Sequence, residues 1–298
     1  MMDTNELVAR ILKTRKYARL EEELLKRVCA RELTRHARPK EALKAAKNQL
    51  HIMYGAFYPE GCHEKAADII SGLEKAGAAD IREGSLALLA LHTSTRERLP
   101  VIADFYAHIS RFAPSAKHVL DVGCGFAPFA LPFMELAEGA VYEAWDLSFA
   151  TVELINRFFA VCGMPQGARV GDAFTQPDWA GRDNRLYDPS IPVDLALLLK
   201  LVPVLEQQRK GLAFEIIDCL PARVIVVSFP IRSLGGRGKS MLTHHSDMFE
   251  HGITGPTRII DKTVIGDELV YVVTGGAHAY RPAARTALPT CWVCPPAP

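Results

Sequence analysis

A strand followed by a glycine turn constrains the fold of this chain more than any other stretch. Residues 117–128 read Lys-His-Val-Leu-Asp-Val-Gly-Cys-Gly-Phe-Ala-Pro. The apolar run over 119–122 is typical of a central strand in a parallel sheet. Gly123 and Gly125 then permit a tight turn in which the backbone approaches a ligand with no Cβ in between. The stretch therefore predicts a ligand site at the carboxyl end of a buried strand.

The turn departs from the dinucleotide-binding fingerprint at its third position. The pattern G-x-G-x-x-G/A requires a small residue at 128, where this chain has Pro128. Proline there disfavours the close pyrophosphate contact at a free helix N-terminus. The turn by itself favours an S-adenosylmethionine (SAM) site, while another nucleotide site and a plain structural turn stay open as alternatives.

Strands alternate with helices from residue 117 onwards. The predicted strands cover 117–122, 141–146, 168–172, 193–200 and 224–229, followed by a hairpin of 257–265 and 269–274. This alternation predicts an α/β fold. Together with the terminal hairpin and the strand-end acids described next, it fits a Rossmann-like class I SAM-dependent methyltransferase domain.

Acidic residues end the first three predicted strands, namely Asp121, Asp146 and Asp172. Asp146 lies near the sequence distance from the glycine turn at which an acid meets ribose hydroxyls, and Asp172 is placed to accept from an adenine amino group. A single strand-end Asp is usually a helix cap, but three in this order strengthen the SAM interpretation.

The N-terminal third carries helical patterns and no strand signal of any length. Predicted helices include one that begins at Pro39 and two more over 62–75 and 79–91. We expect a small all-helical domain over 1–92, a methyltransferase domain over 93–279, and a flexible tail over 280–298.

The joint between these predicted domains contains two local signals. Ser94 and Glu97 match the S-x-x-E capping box, which predicts a helix start. Pro100 is unfavourable inside the following helix, so the start of that helix is expected near residue 99. A long loop is expected over 176–192.

Basic residues concentrate at the N-terminus although the whole chain has a net charge of only +1. The first 50 residues hold 13 Lys and Arg against 7 Asp and Glu, a net +6, which leaves −5 for the rest. This asymmetry indicates a polyanionic partner, with a solvated helix face as the alternative.

Composition and the placement of cysteines restrict the expected cellular location and the expectation of a metal site. With 298 residues and no apolar run of membrane-spanning length, no membrane partner is expected. The absence of a signal-peptide core and the odd number of cysteines, seven, suit the cytoplasm. The Cys291–Cys294 pair has no second pair beside it, so no metal site is expected.

The sequence after the fourth strand restricts the reaction. Residues 199–203, Leu-Lys-Leu-Val-Pro, lack the N/D-P-P-aromatic motif usual in enzymes that methylate exocyclic amines. No cysteine ends the fourth or fifth predicted strand, as C5 methylation of pyrimidines would need. A ring nitrogen with a free lone pair, such as guanine N7, remains as the acceptor, and it requires placement rather than a general base.

A second distinctive stretch follows the fifth strand. Residues 228–241 read Ser-Phe-Pro-Ile-Arg-Ser-Leu-Gly-Gly-Arg-Gly-Lys-Ser-Met, and a P-loop is disfavoured because Ser233 stands where it needs glycine. Arg232, Arg237 and Lys239 are instead expected to hold phosphates around a target nucleotide. A mobile basic surface loop is the alternative.

Taken together, these stretches resemble the aminoglycoside-resistance 16S rRNA methyltransferases that modify N7 of guanine 1405, and most of all the type found in aminoglycoside-producing actinomycetes. The likeness runs in order from about residue 5 to 275. The segments that carry it are 92–99, 121–128, 199–206, 228–239 and 261–269.

The resemblance implies a role for each part of the chain. The helical domain would dock on 16S rRNA in the assembled 30S subunit, and the enzyme would act as a monomer. Arg98, or Arg96 if the joint is shifted, would hold the methionine carboxylate of SAM. The implied cofactor residues are Arg98, Asp121, Gly123, Gly125, Asp146, Leu147, Asp172, Ala173 and Gln208.

The resemblance also implies the substrate contacts and the outcome. Arg237, Lys239 and Met241 would position a flipped guanine with no general acid or base. The implied RNA contacts are Arg10, Lys13, Arg15, Lys16, Arg232, Arg237 and Lys239. Methylation would confer resistance to 4,6-disubstituted deoxystreptamine aminoglycosides. The alternatives are another RNA base, a small-molecule substrate, or a ribosome-binding protein without activity.

Overall fold

The computed structural model describes residues 2–76, 80–174, 193–231 and 238–274. Its N-terminal part is helical, as predicted. The helices are α1 (Thr4–Leu12), α2 (Glu22–Arg35), α3 (Pro39–Leu50), α4 (Cys62–Ala76) and α5 (Ile81–Ala90), with a 3₁₀ turn at Arg15–Tyr17 and a π-helical turn at His51–Gly55.

Side-chain caps and apolar faces explain why these helices begin and pack where they do. The Asp3 carboxylate accepts from Glu6 N at 2.8 Å at the start of α1. Pro39 occupies the first turn of α3, where a missing N–H is harmless. In α2, Leu24, Leu25 and Val28 recur at helical spacing and are buried.

The joint differs from its prediction. A short helix, α6 (Thr93–Arg96), begins after His92, which makes no side-chain cap bond. Ser94 is already inside this helix, so the predicted capping box is wrong. Pro100 lies in a 3₁₀ turn, Leu99–Val101, so helical structure begins at residue 99 as predicted, and α7 (Ile102–Ser110) follows this turn directly.

A seven-stranded sheet forms the α/β part, with the order β3-β2-β1-β4-β5-β7-β6. Its strands are β1 (Ala116–Val122), β2 (Leu136–Asp146), β3 (Ala168–Val170), β4 (Val193–Leu199), β5 (Ala222–Pro230), β6 (Arg258–Ile265) and β7 (Glu268–Thr274). The pairs β2/β3, β1/β4 and β4/β5 are parallel, and the hairpin strands pair antiparallel. The predicted Rossmann-like fold class and the closing hairpin are confirmed.

Where the structure describes the connections before the hairpin, they contain α-helices as predicted, except for the connection from β1 to β2. The helices are α8 (Phe149–Val161), α9 (Val202–Gln208), α10 (Leu212–Cys219) and α11 (Gly238–Gly252). The glycine turn leads into a 3₁₀ segment, Ala127–Phe133, rather than into one of the α-helices that were predicted to alternate with the strands. A second proline inside it, Pro132, removes another N–H donor and is unfavourable to an α-helix.

Contacts divide the chain into two compact units that are discontinuous in sequence. The first comprises Met1–Leu99, Gly123–Pro132 and Ala144–Gln176, and the second comprises the remainder. The predicted boundary between residues 92 and 93 stays a prediction. The loop over 176–192 and the tail over 280–298 lie outside the described residues. No helix in the described part of the chain is both long and apolar enough to cross a membrane.

Candidate cofactor-binding site

The glycine turn after β1 has the backbone that its sequence predicts. Gly123 and Gly125 have φ values of +64° and +51°, a left-handed conformation that other residues adopt only with strain. Two hydrogen bonds tie the turn to the end of β2: Cys124 N donates to Trp145 O at 2.9 Å, and Gly125 N donates to the Asp146 carboxylate at 3.1 Å. The turn therefore lies directly against one of the predicted cofactor acids.

Asp146 is a buried acid whose carboxylate is held from several sides. Besides Gly125 N, it accepts from Ser148 N at 2.9 Å and from the hydroxyl of Tyr58 at 3.3 Å. Burial raises the pKa of Asp146 to about 6, and the hydrogen bonds from Ser148, Gly125 and Tyr58 oppose that rise. Its orientation is fixed at the carboxyl end of β2.

Asp172 lies at the same edge of the sheet, because Val170 of β3 pairs with Asp146 of β2. Its carboxylate accepts from Phe174 N at 2.9 Å and forms an ion pair with Arg27 of α2. The guanidinium of Arg27 also lies 3.9 Å from the centroid of the Phe174 ring. The third strand-end acid is thus held by a residue of the helical N-terminal segment.

A buried polar network joins Asp146 to the helical segment. Thr151 Oγ1 donates to the Tyr58 hydroxyl at 3.2 Å and lies 3.1 Å from His63 Nε2. The Tyr54 hydroxyl donates to Ser148 Oγ at 3.3 Å. Burial lowers the pKa of His63 to about 4, so this imidazole is neutral at pH 7.

Sequence reasoning missed Arg27, Tyr54, Tyr58 and His63. The segment over 54–58, Tyr-Gly-Ala-Phe-Tyr, is rich in aromatic residues, but their spacing of three and four residues is also that of an ordinary buried helix face and did not mark them as part of a site. Arg27 resembled the other basic residues of an amphipathic helix.

The remaining cofactor candidates of this unit have clear positions. The side chain of Arg98 is buried, with the residue 2% exposed, whereas Arg96 is exposed. A carboxylate ligand inside the fold would therefore meet Arg98 rather than Arg96. Leu147 is half-buried, and its carbonyl accepts from Glu21 N at 2.9 Å. Ala173 is half-buried next to Asp172.

Two cofactor candidates belong to the second unit. Asp121 is fully buried at the end of β1, and its carboxylate accepts from the Tyr142 hydroxyl at 2.8 Å. Gln208 is half-buried in the last turn of α9. At the end of β4, Lys200 adopts a φ of +59° and forms a buried ion pair with Glu268 at 3.3 Å.

The candidate RNA contacts are on exposed parts of the helical segment. Arg10 pairs with Glu6 at 2.7 Å, and Arg15 pairs with Glu64. Lys13 and Lys16 are exposed. Exposed ion pairs of this kind contribute little stability and can be exchanged for phosphate contacts.

The candidate contacts after β5 are only partly described. Arg232 and Arg237 lie outside the described residues, and so does the side chain of Lys239, whose backbone is in α11. Met241 is half-buried in α11. Within the described ranges, no group of three or more His, Cys, Asp or Glu side chains could hold a metal ion.

The chemistry of the first unit fits SAM. A left-handed glycine turn gives close backbone access, and two buried carboxylates at neighbouring strand ends offer acceptors for ribose and adenine donors. A buried arginine supplies a cation that could face a carboxylate.

Known proteins with a similar sequence are ribosomal RNA methyltransferases. The family model for ribosomal RNA methyltransferase (FmrO) matches residues 13–272. The 16S rRNA (guanine(1405)-N(7))-methyltransferase of Micromonospora echinospora is 34% identical over 78% of this chain and 82% of its own length. The enzyme of the same name from Serratia marcescens is 33% identical over 91% of this chain and 98% of its own.

Solved structures agree with the sequence comparisons. The 16S rRNA methyltransferase RmtF, in complex with S-adenosyl-L-homocysteine, is 32% identical, with a TM-score of 0.79 over 92% of this chain and 100% of its own. The 16S rRNA methylase RmtB is 28% identical, with a TM-score of 0.71 over 92% and 99%.

Proposed function

Because the chain belongs to the FmrO family of ribosomal RNA methyltransferases, we propose that it transfers the methyl group of SAM to N7 of guanine 1405 in 16S rRNA. The observation that carries this proposal is the 33–34% identity to enzymes of that specificity across most of both chains. The resemblance inferred from the motifs of the sequence is thereby confirmed.

Different residues of the chain are proposed to bind different parts of the cofactor. In this proposal Arg98 holds the methionine carboxylate, and the turn with Gly123 and Gly125 leaves room for the methionine. Asp146 accepts from the ribose hydroxyls and Asp172 from the adenine amino group. Asp121, Leu147, Ala173 and Gln208 complete the proposed site. The support is the burial of these acids and of Arg98 at strand ends and at the joint.

The transfer itself requires placement rather than proton chemistry. Bound SAM supplies a methyl group on a positively charged sulfur. A ring nitrogen with a free lone pair can accept this methyl group without losing a proton. The chain therefore needs no general acid or base. Arg237, Lys239 and Met241 are proposed to hold the flipped guanine and its backbone in line with the methyl group.

The proposed substrate is the assembled 30S subunit. The enzyme is proposed to act on it in the cytoplasm, as a monomer. Arg10, Lys13, Arg15 and Lys16 would contact rRNA phosphates together with Arg232, and the helical segment over 1–92 would form the docking domain. The support is the net charge of +6 in the first 50 residues and the exposure of these four side chains. The expected consequence is resistance to 4,6-disubstituted deoxystreptamine aminoglycosides.

One experiment tests substrate, atom and position together. Purified 30S subunits are incubated with the protein and SAM, and their 16S rRNA is treated with borohydride and aniline, which cleave at N7-methylguanine. Primer extension across the A-site helix should then stop at guanine 1405. A methyl group found on another base would keep the methyltransferase and reject the target. SAM binding with no methyl transfer to 30S or to free 16S rRNA would reject the activity.

A further inference from the structure

Arg27 is an arginine of the helical segment that reaches one of the cofactor acids. It lies in the middle of α2, and its side chain is only 19% exposed. Its Nη2 pairs with Asp172 Oδ2, and the Asp172 side chain is 4% exposed. By sequence alone it is indistinguishable from the other basic residues of α2, such as Lys26, which pairs with Glu22 and Glu23 on the same helix.

Two contacts fix the plane of this guanidinium. The charge on Arg27 faces the Asp172 carboxylate, while the guanidinium lies 3.9 Å from the Phe174 ring centroid. A guanidinium over an aromatic face is attracted by the ring quadrupole and resists rotation out of the stack. Because Phe174 lies two residues beyond Asp172, one short segment supplies both partners.

Contacts to both oxygens hold the Asp172 carboxylate in one orientation. Phe174 N donates to Oδ1 at 2.9 Å, and Arg27 donates to Oδ2. The directions in which this carboxylate can accept a hydrogen bond depend on the rotamer of Asp172, which Arg27 holds.

We propose that Arg27 is a positioning residue for the adenine end of the cofactor: by pairing with Asp172 it orients the carboxylate that accepts from the 6-amino group. This inference rests on the proposed role of Asp172 in the cofactor site. It makes α2 part of the cofactor site, in addition to any role of the helical segment in docking RNA.

The test compares two ligands that differ at the 6-position of the purine. S-adenosylhomocysteine carries the amino group there, whereas S-inosylhomocysteine carries an oxygen that cannot donate. Binding of both to the full-length protein is measured by calorimetry without RNA. The wild type should prefer the adenosyl ligand. Arg27→Met should weaken that ligand about tenfold, the size expected for one hydrogen bond to a charged group.

The preference between the ligands separates positioning from a general loss of structure. Arg27→Met should bind the inosyl ligand nearly as well as the wild type does, so the preference should fall. Arg27→Lys keeps the charge but not the planar stack and should give an intermediate preference. An equal loss of both ligands in Arg27→Met would overturn the inference. If Arg27→Met does not fold, Arg27→Lys decides: an unchanged preference there would overturn it too.

Two further variants test whether Arg27 acts through Asp172 and provide a control for the loss of an ion pair. In an Asp172→Ala background, Arg27→Met should change affinity less than twofold, because the group through which it acts is gone; additive losses would contradict the proposal. Arg19→Met removes another ion pair, with Glu153 at 2.9 Å, whose partner lies in α8. It should leave the ligand preference unchanged.

This assay is independent of the methylation target. If 30S subunits are not methylated at guanine 1405 but the ligand preference depends on Arg27, the proposed target fails and the inference stands. If methylation occurs there while Arg27→Met keeps the wild-type preference, the inference fails alone.

Discussion

The hydroxyl of Tyr58 donates a hydrogen bond to the carboxylate of Asp146 across 3.3 Å, joining the connection before α4 to the end of β2. Both side chains are buried. In a site with little water, a donor to a carboxylate favours the ionised form. The helical segment therefore helps to determine the protonation state of the proposed ribose-binding acid.

The pH dependence of cofactor binding should report the protonation of Asp146. Burial raises the pKa of Asp146 from 3.8 to about 6, so the folded, ligand-free protein takes up a proton there as the pH falls toward 5. Since ribose hydroxyls donate best to the ionised carboxylate, affinity for S-adenosylhomocysteine should fall between pH 7 and pH 5. Calorimetry at several pH values measures this. Asp146→Asn should bind weakly with a flatter profile; an unchanged profile in that variant would assign the titration to another group.

The same shift predicts the sign of a stability change. A carboxyl whose folded pKa lies above its unfolded pKa binds its proton more tightly in the folded state. Its contribution is therefore most favourable below pH 4 and is lost as the pH rises through 6, by about 3 kcal/mol for a shift of this size.

Tyr58→Phe should move the binding profile upward in pH. The substitution removes one donor to the Asp146 carboxylate and keeps the ring, so the pKa of Asp146 should rise above about 6. Affinity at pH 6.5 should then fall more than affinity at pH 8. Tyr54→Phe is a matched control, because the Tyr54 hydroxyl donates to Ser148 Oγ rather than to Asp146. Equal profiles for both variants would contradict the role of Tyr58.

Local patterns predicted the sheet and the strand-end acids because both depend on residues close in sequence. The apolar run of β1, its glycine turn, and the acids at the carboxyl ends of β2 and β3 could be located from spacing alone. The contacts of Arg27 and Tyr58 could not, because each joins positions about 90 to 150 residues apart, and nothing in the local pattern of α2 indicates which arginine will pair with a distant acid.

The positions of helix termini could also be predicted only in part from the local sequence. The capping-box pattern at Ser94 and Glu97 predicted a helix that starts after Ser94, but the N-cap is His92, so α6 begins two residues earlier, at Thr93. Pro39 and Pro132 were more reliable signals of local helix structure than the capping box, because proline lacks a backbone N–H donor in every tertiary context.

Binding of the cofactor and transfer to RNA should separate in two variants. Asp172→Ala should weaken SAM binding, because it removes a buried acceptor at the end of β3. Arg237→Ala should leave SAM binding intact and reduce methylation of 30S subunits, since Arg237 is proposed to hold the target nucleotide. Calorimetry and methyl transfer measure the two effects. An equal loss of SAM binding in both variants would contradict this division.

The salt dependence of 30S binding should identify phosphate contacts in the helical segment. Lys16 is exposed, and neutralising it as Lys16→Gln should reduce the slope of log affinity against log salt by about 1 if it contacts one phosphate. Lys262→Gln is a control on the hairpin, where Lys262 pairs with Glu250 at 2.6 Å. A slope that changes for Lys262→Gln but not for Lys16→Gln would move the RNA surface away from the helical segment.

The glycine turn can be tested by comparing two glycines with similar backbones and different surroundings. Gly125 has a φ of +51°, and a Cβ there would lie 3.0 Å from His92 Cε1; Gly163 has a φ of +70° with no atom within 4 Å of such a Cβ. Gly163→Ala should therefore cost only the left-handed backbone, about 1–2 kcal/mol. Gly125→Ala should cost about 1–3 kcal/mol more, because the imidazole must move.

Urea unfolding of the two variants measures this difference directly. Gly125→Ala should also weaken S-adenosylhomocysteine, because a displaced turn moves the Gly125 N–H away from the Asp146 carboxylate, whereas Gly163→Ala should bind as the wild type does. Equal losses of stability with unchanged affinity in both variants would mean that the His92 side chain moves aside without a measurable cost. They would also mean that the turn does not orient Asp146. A larger loss for Gly125→Ala in both measurements would place the turn, His92 and the acid in one rigid unit.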